Sequence, residues 1–216
     1  MEKDPYKQAA KELNLTAEQA KQMEDQLKTA QEKFKTEAQQ FAQLFNRQTL
    51  GTAFQYLLYF QTLASNYAQE FYLYQCDKTA LKTFSDNEEF LNNLLPFANA
   101  NGTGSIYCIW DNGISENLDE MPIVVLGDEG GLHIVTENLL QLMQILTLDS
   151  EIGVDWNGVS FYTDCPGGSE HNQGYRAFIK TQFGLDPVED PGLVIQTAQK
   201  KYKTSFDEWC SKFYTV

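Results

Sequence analysis

The sequence predicts an α+β protein: a small antiparallel β-sheet flanked by helices, behind a long helical N-terminal extension. Three observations predict it. Apolar residues recur at steps of three and four through the N-terminal region. Short alternating runs separated by Asn/Gly-rich turns fill the centre. Helical patterning then returns beyond residue 136, the segregated order of an α+β chain. Nothing in the 216 residues reads as a Pro/Gly/Ser linker, and there is no internal repeat.

The first helix is predicted to start at Thr16, where Gln19 completes a capping box, and to run into the forties. Met23, Leu27, Ala30, Phe34, Ala38, Phe41 and Phe45 make its apolar stripe, expected to pack on the rest of the protein. Leu50 and Gly51 break the pattern. Residues 52–75 are apolar on more than one face and predict a buried helix. A short helix or turn is expected over 77–84. Ser85 and Glu88 form a second capping box, opening a helix with Phe90, Leu91, Leu94 and Leu95 on its apolar side. Residues 98–104 are turn chemistry. Strands are expected at 105–110, at 121–126 with Pro122 at its start, and at 132–135. Thr136 is expected to cap a helix carrying Leu139, Leu142, Met143 and Leu146. Two further helices follow, over 172–183 and from Asp190, a cap followed by Pro at the first helical position. A third capping box, Ser205 to Glu208, is expected to open a last turn with Trp209 and Phe213 facing inward.

Charge is the least ordinary property. The net charge is −14, and residues 1–47 are neutral, with eight basic and eight acidic side chains. Between Lys82 and Arg176 there is no lysine or arginine, against fifteen Asp and Glu. Such a field repels nucleic-acid backbones and anionic membranes and draws basic proteins inward. No run reaches the roughly 18–20 apolar residues that a spanning helix needs. The N-terminus is charged at once, with no secretory h-region. The four cysteines, Cys76, Cys108, Cys165 and Cys210, are scattered. Together these predict a cytoplasmic protein with reduced thiols.

Enzyme and metal signatures fail in turn. Gly102 and Gly104 lack both the P-loop lysine and the third glycine of a dinucleotide site. His133 and His171 form no ligand cluster, so no metal or other cofactor is expected, and His133 reads as a structural strand residue. Cys165 and His171 are near in sequence, but glycine-rich loop residues separate them, so no Cys–His nucleophile pair is expected. The carboxylates Asp111, Glu116, Asp119, Glu120, Asp128 and Glu129 lie in the two loops joining consecutive strands, next to Trp110. A carboxylate-based hydrolase is the catalytic alternative. It needs one carboxyl in an apolar pocket, and these loops read as solvated. Clustered carboxylates beside a tryptophan suit a partner's Arg and Lys instead. Trp110, Asp111, Glu116, Asp119, Glu120, Asp128 and Glu129 are therefore the expected partner-binding residues. A scaffold that docks through the helix at 16–48 is a further alternative.

The run from Leu95 to Ala98, Gly102 and Gly104, a strand ending in Trp110, Pro122 leading a Val-rich strand, Gly127, Glu129, Gly130 and a capped Leu-rich helix at 136–148 resemble the SUKH superfamily. The resemblance covers residues 88–148. It implies an α+β domain with a small curved sheet over residues 85–216, behind a helical extension at 1–84. It also implies a non-catalytic immunity-type protein that neutralises a toxin domain, often a basic one such as a nuclease. Members of the family usually have one helix before a Leu-Pro element at the sheet, whereas about ninety residues of aromatic-rich sequence precede the match here.

Overall fold

A computed structural model describes residues 16–162 and 167–213, and its architecture is α+β. Helix α1 (Ala17–Leu44) starts at Thr16 through the expected capping box, the Thr16 hydroxyl accepting from Gln19 N and the Gln19 side chain from Thr16 N. Helix α2 (Thr52–Leu63) follows. It is shorter than the sequence predicted. Ala64 turns extended, Asn66 and Glu70 take positive φ, and the chain enters strand β1 (Tyr72–Leu73). Tyr67 and Phe71 still reach the core, but from a loop. Two short helices come next, α3 (Thr79–Lys82) and α4 (Glu88–Asn93). The α4 cap is Asn87, which accepts from Glu89 N, and Ser85 instead accepts from Asn87 N.

Strand β2 (Leu94–Asn99) was not anticipated. Leu94 and Leu95, expected to continue a helix, pair with Trp110 and Ile109 of β3 (Ile106–Trp110). Pro96 explains the switch, since it disfavours helical backbone at Leu95. The strand accommodates the proline at a register shift between Pro96 and Ala98, where a bulge tolerates it. Strands β4 (Ile123–Leu126) and β5 (Leu132–Thr136) complete an antiparallel meander ordered β1-β2-β3-β4-β5. Because β5 extends to Thr136, the cap of α5 (Leu139–Leu146) is Asn138 and not Thr136. A second, two-stranded sheet, β6 (Ile152–Val154) with β7 (Val159–Phe161), was also missed.

Helix α6 (Asn172–Phe183) stands where predicted, and α7 (Pro191–Cys210) begins at Asp190, whose carboxylate accepts from Leu193 N. No new helix opens at Ser205. Its hydroxyl donates to the Tyr202 carbonyl inside α7, and Ile195, Ala198, Tyr202, Phe206 and Trp209 form one unbroken buried stripe.

Alternation along the strands divides the interior in two. Leu95, Phe97, Tyr107, Ile109, Ile123, Val125 and Val135 face the core built with α1, α2, α5 and α6. Leu94, Cys108, Trp110, Val124, Leu126 and Ile134 face α7. The sheet is therefore a middle layer, buried on both sides. The expected division between residues 84 and 85 runs between two paired strands, because β1 pairs β2. Phe41, Phe45 and Phe54 also share the first core with Phe97. Both outer strands are blocked by glutamines: Gln61 donates to Leu73 O and accepts from Leu73 N, and Gln199 donates to Ile134 O.

Candidate interaction surface

The meander places its loops at two ends. The β3–β4 connection carries Asp111, Glu116, Asp119 and Glu120, while the tight β4–β5 turn carries Asp128 and Glu129 at the opposite end, beside the β2–β3 turn. The seven expected contact residues do not form one surface.

Two of them are interior. Trp110 is buried, packed edge-on against Phe206 and tilted against Trp209. It ends a central strand, so its alternation points it into the α7 core. Asp119 is buried and caps α2 across the chain, Oδ2 accepting from Ala53 N (2.7 Å) and Oδ1 from Phe54 N (3.1 Å). Burial raises its pKa above the ordinary carboxylate value, the two N–H donors pull it back down, and Glu120 adds to the rise. Asp119 borders a cleft of about 280 Å³ with Glu120, Glu137 and Lys201, but both of its oxygens already serve the helix. Asp111 is paired with Arg47, from the neutral N-terminal segment. Only Glu116 and Glu120 of this loop are exposed acids, and Glu120 accepts from Ser115 and Asn117.

The other end is a built surface. Asn101 organises it: its side-chain oxygen accepts from Gly104 N (3.1 Å) and Ser105 N (2.9 Å), and its amide donates to Ile152 O of β6 (3.2 Å). Thr103 and Ser105 donate hydroxyls to Asp128 Oδ1, both at 2.8 Å. Partial desolvation pushes the Asp128 pKa up, but these hydroxyls and the local backbone N–H groups outweigh it and leave the carboxyl below its ordinary value. Asp128 is thus an exposed carboxylate held in place. Glu129 is exposed beside it. Glu151 accepts from Gly102 N (2.7 Å), with Glu70 against the same glycine.

The β6–β7 hairpin supplies what the sequence reading missed. Its turn is closed by Asp155, whose carboxylate accepts from Asn157 N (2.6 Å) and Gly158 N (3.0 Å). His133 holds the Asp155 carbonyl at 2.7 Å through Nε2, the structural role expected of that histidine. Trp156, at the tip, is 68% exposed. One face of its benzo ring lies over Gly130, where a Cβ would come within 2.2 Å of the ring, so only glycine at φ +110° fits beneath it. No protein-family model matches this chain, no curated protein matches it, and no solved structure matches it. The surface has to be read from its own chemistry.

That chemistry is five carboxylates, Glu70, Asp128, Glu129, Glu151 and Asp155, with two exposed aromatics, Trp156 and Tyr162. The segments that build it beyond Glu70 lie in the stretch without lysine or arginine. A signal for Trp156 was present: Asn157-Gly158 is a hairpin turn pair between two short alternating runs, Ile152–Val154 and Val159–Phe161. Among the described residues no group of three or more His, Cys, Asp or Glu could hold a metal ion, and no helix there is long and apolar enough to cross a membrane. Cys76, Cys108 and Cys210 are buried, and burial pushes the Cys76 thiol up to about 11. Cys165, the sequence neighbour of His171, lies outside the described residues. His171 binds the Ser65 carbonyl through Nδ1 (2.6 Å).

Proposed function

We propose that this is a non-catalytic, cytoplasmic binding protein that masks a basic protein partner, the immunity-type role that the SUKH resemblance implies. A secreted toxin domain such as a nuclease is the class of partner meant. The observation that carries the reading is the Asp128–Glu129–Asp155–Trp156 end, where anchored carboxylates and an exposed tryptophan share one surface without a basic side chain from their own segments. Fixed acidic groups speed the approach of a basic partner, and a rigid aromatic anchor holds it. The same field disfavours nucleic acid as a direct ligand.

The test is co-purification on the full chain, with elution at low and then high salt, followed by kinetics with the eluted protein. Reversal of Asp128 and Glu129 to Lys should slow association and flatten its salt dependence, leaving the fold intact. Unchanged association after reversal removes this surface from the proposal. Hydrolytic turnover that survives purification and dies with one carboxylate-to-amide change would overturn it.

A further inference from the structure

Three tryptophans occur in the chain, and two of them, Trp110 and Trp209, are buried in the α7 core. Trp156 is the exception, and its exposure is not that of a loose loop. One side of the ring is seated on Gly130. The turn beneath is locked by Asp155 at both Asn157 and Gly158, and by the Asp155 N–H donating to Gly158 O (3.0 Å). A side chain fixed in this way loses little freedom on binding. An indole face offers negative quadrupole potential to a cation, and the carboxylates of Asp128, Glu129 and Asp155 sit on the same two turns.

Resting on the binding reading above, we propose that Trp156 is the anchor of the surface and that the group it receives is an arginine side chain of the partner. A guanidinium is planar, stacks on an aromatic face, and offers a fork of N–H donors to flanking carboxylates. A lysine ammonium is a compact, strongly hydrated charge that also feels the ring quadrupole, as Lys201 does over Tyr202, but it cannot stack its plane on the indole while a fork of donors reaches the carboxylates. The acidic field therefore attracts both residue types, while the indole discriminates between them.

The probes are synthetic deca-arginine and deca-lysine of equal charge, titrated into the full-length protein at several salt concentrations. Tryptophan emission and calorimetry are the readouts. Deca-arginine should bind a few-fold and at most roughly thirtyfold more tightly than deca-lysine, the ceiling being the full value of a desolvated cation–π contact. It should also quench the exposed tryptophan. Trp156→Ala should bring deca-arginine down to the level of deca-lysine, and Trp156→Phe should retain part of the preference. Asp128→Lys with Glu129→Lys should weaken both peptides alike. Thermal melts of each variant separate lost contact from lost fold. Equal binding of the two peptides, unaffected by Trp156→Ala but weakened by charge reversal, overturns the arginine anchor and leaves the acidic surface standing. If neither peptide binds at low salt, both readings fall.

Discussion

The carboxylate of Asp119 occupies the space that a side chain on Gly51 would take. A Cβ on Gly51 would lie 2.2 Å from Asp119 Cγ, and Asp119 caps the helix that Gly51 begins but cannot cap itself. Gly51→Ala should therefore destabilise the protein by about 1–3 kcal/mol through overpacking, and Asp119→Ala by about 0.5–2 kcal/mol through cap loss. Gly51→Ser combined with Asp119→Ala should be more stable than the sum of the single changes allows, because the serine can cap locally in the vacated space. Urea unfolding of wild type, Gly51→Ser, Asp119→Ala and the double variant measures the coupling, and additivity would contradict it.

The pH dependence at Asp119 has a defined sign. Its folded pKa is raised above 3.8 by burial, so the folded state binds the proton more tightly than the unfolded one. Stability from this group falls as pH rises from the ordinary value through the raised one, then stays level. Measured from acid pH to neutrality, the advantage of wild type over Asp119→Asn should shrink across that window and hold constant above it.

Asp128 should behave oppositely. Desolvation is outweighed there by the Thr103 and Ser105 hydroxyls and by backbone N–H groups, and the pKa lies below 3.8. Its contribution is present above the ordinary carboxylate value and is lost as pH falls through the folded one. Ser105→Ala removes one donor. In that variant the acid-side loss should begin at higher pH, a shift that NMR titration of the Asp128 carboxyl would read directly.

Trp110 and Trp156 should separate cleanly. Trp110→Ala opens the packing among Phe206 and Trp209 and should cost about 3–5 kcal/mol of stability. Trp156→Ala should leave the melting temperature nearly unchanged and lower partner affinity. Calorimetric melts and binding titrations of the two variants give the comparison.

Gln61 imitates a missing strand at the β1 edge, meeting both the N–H and the carbonyl of Leu73. Gln61→Ala should cost about 1–3 kcal/mol and leave an open sheet edge prone to pairing with another chain. Size-exclusion chromatography across a concentration series should show self-association absent from wild type.

The legible parts of this fold were those where one local signal acts alone. Thr16 and Gln19 cap α1, Asp190 and Pro191 open α7, and β3, β4 and β5 are short β-branched and aromatic runs bounded by Asn- and Gly-rich turns. Strand β2 was not legible, because Leu94 and Leu95 continue the apolar steps of the helix before them while Ala98 and Asn99 adjoin turn residues, so the segment is split between two other local signals. Trp110 and Asp119 were misplaced for a related reason. Sequence shows that a residue adjoins a loop, but only the packing of α7 and of α2 shows that these two are consumed by it. Asp128 and Glu129 lie exposed in the turn where sequence put them, while their neighbour Trp156 comes from a hairpin more than twenty residues on.

The absence of lysine and arginine between Lys82 and Arg176 also governs which reagents can report on this protein. Amine-reactive cross-linkers are blind to β2 through β7, and trypsin releases the whole stretch as one long peptide. Mapping the contact face calls for carbodiimide labelling of carboxylates, with cleavage after acidic or aromatic residues. Protection of the peptide spanning Asp155 and Trp156 would then locate the partner's footprint.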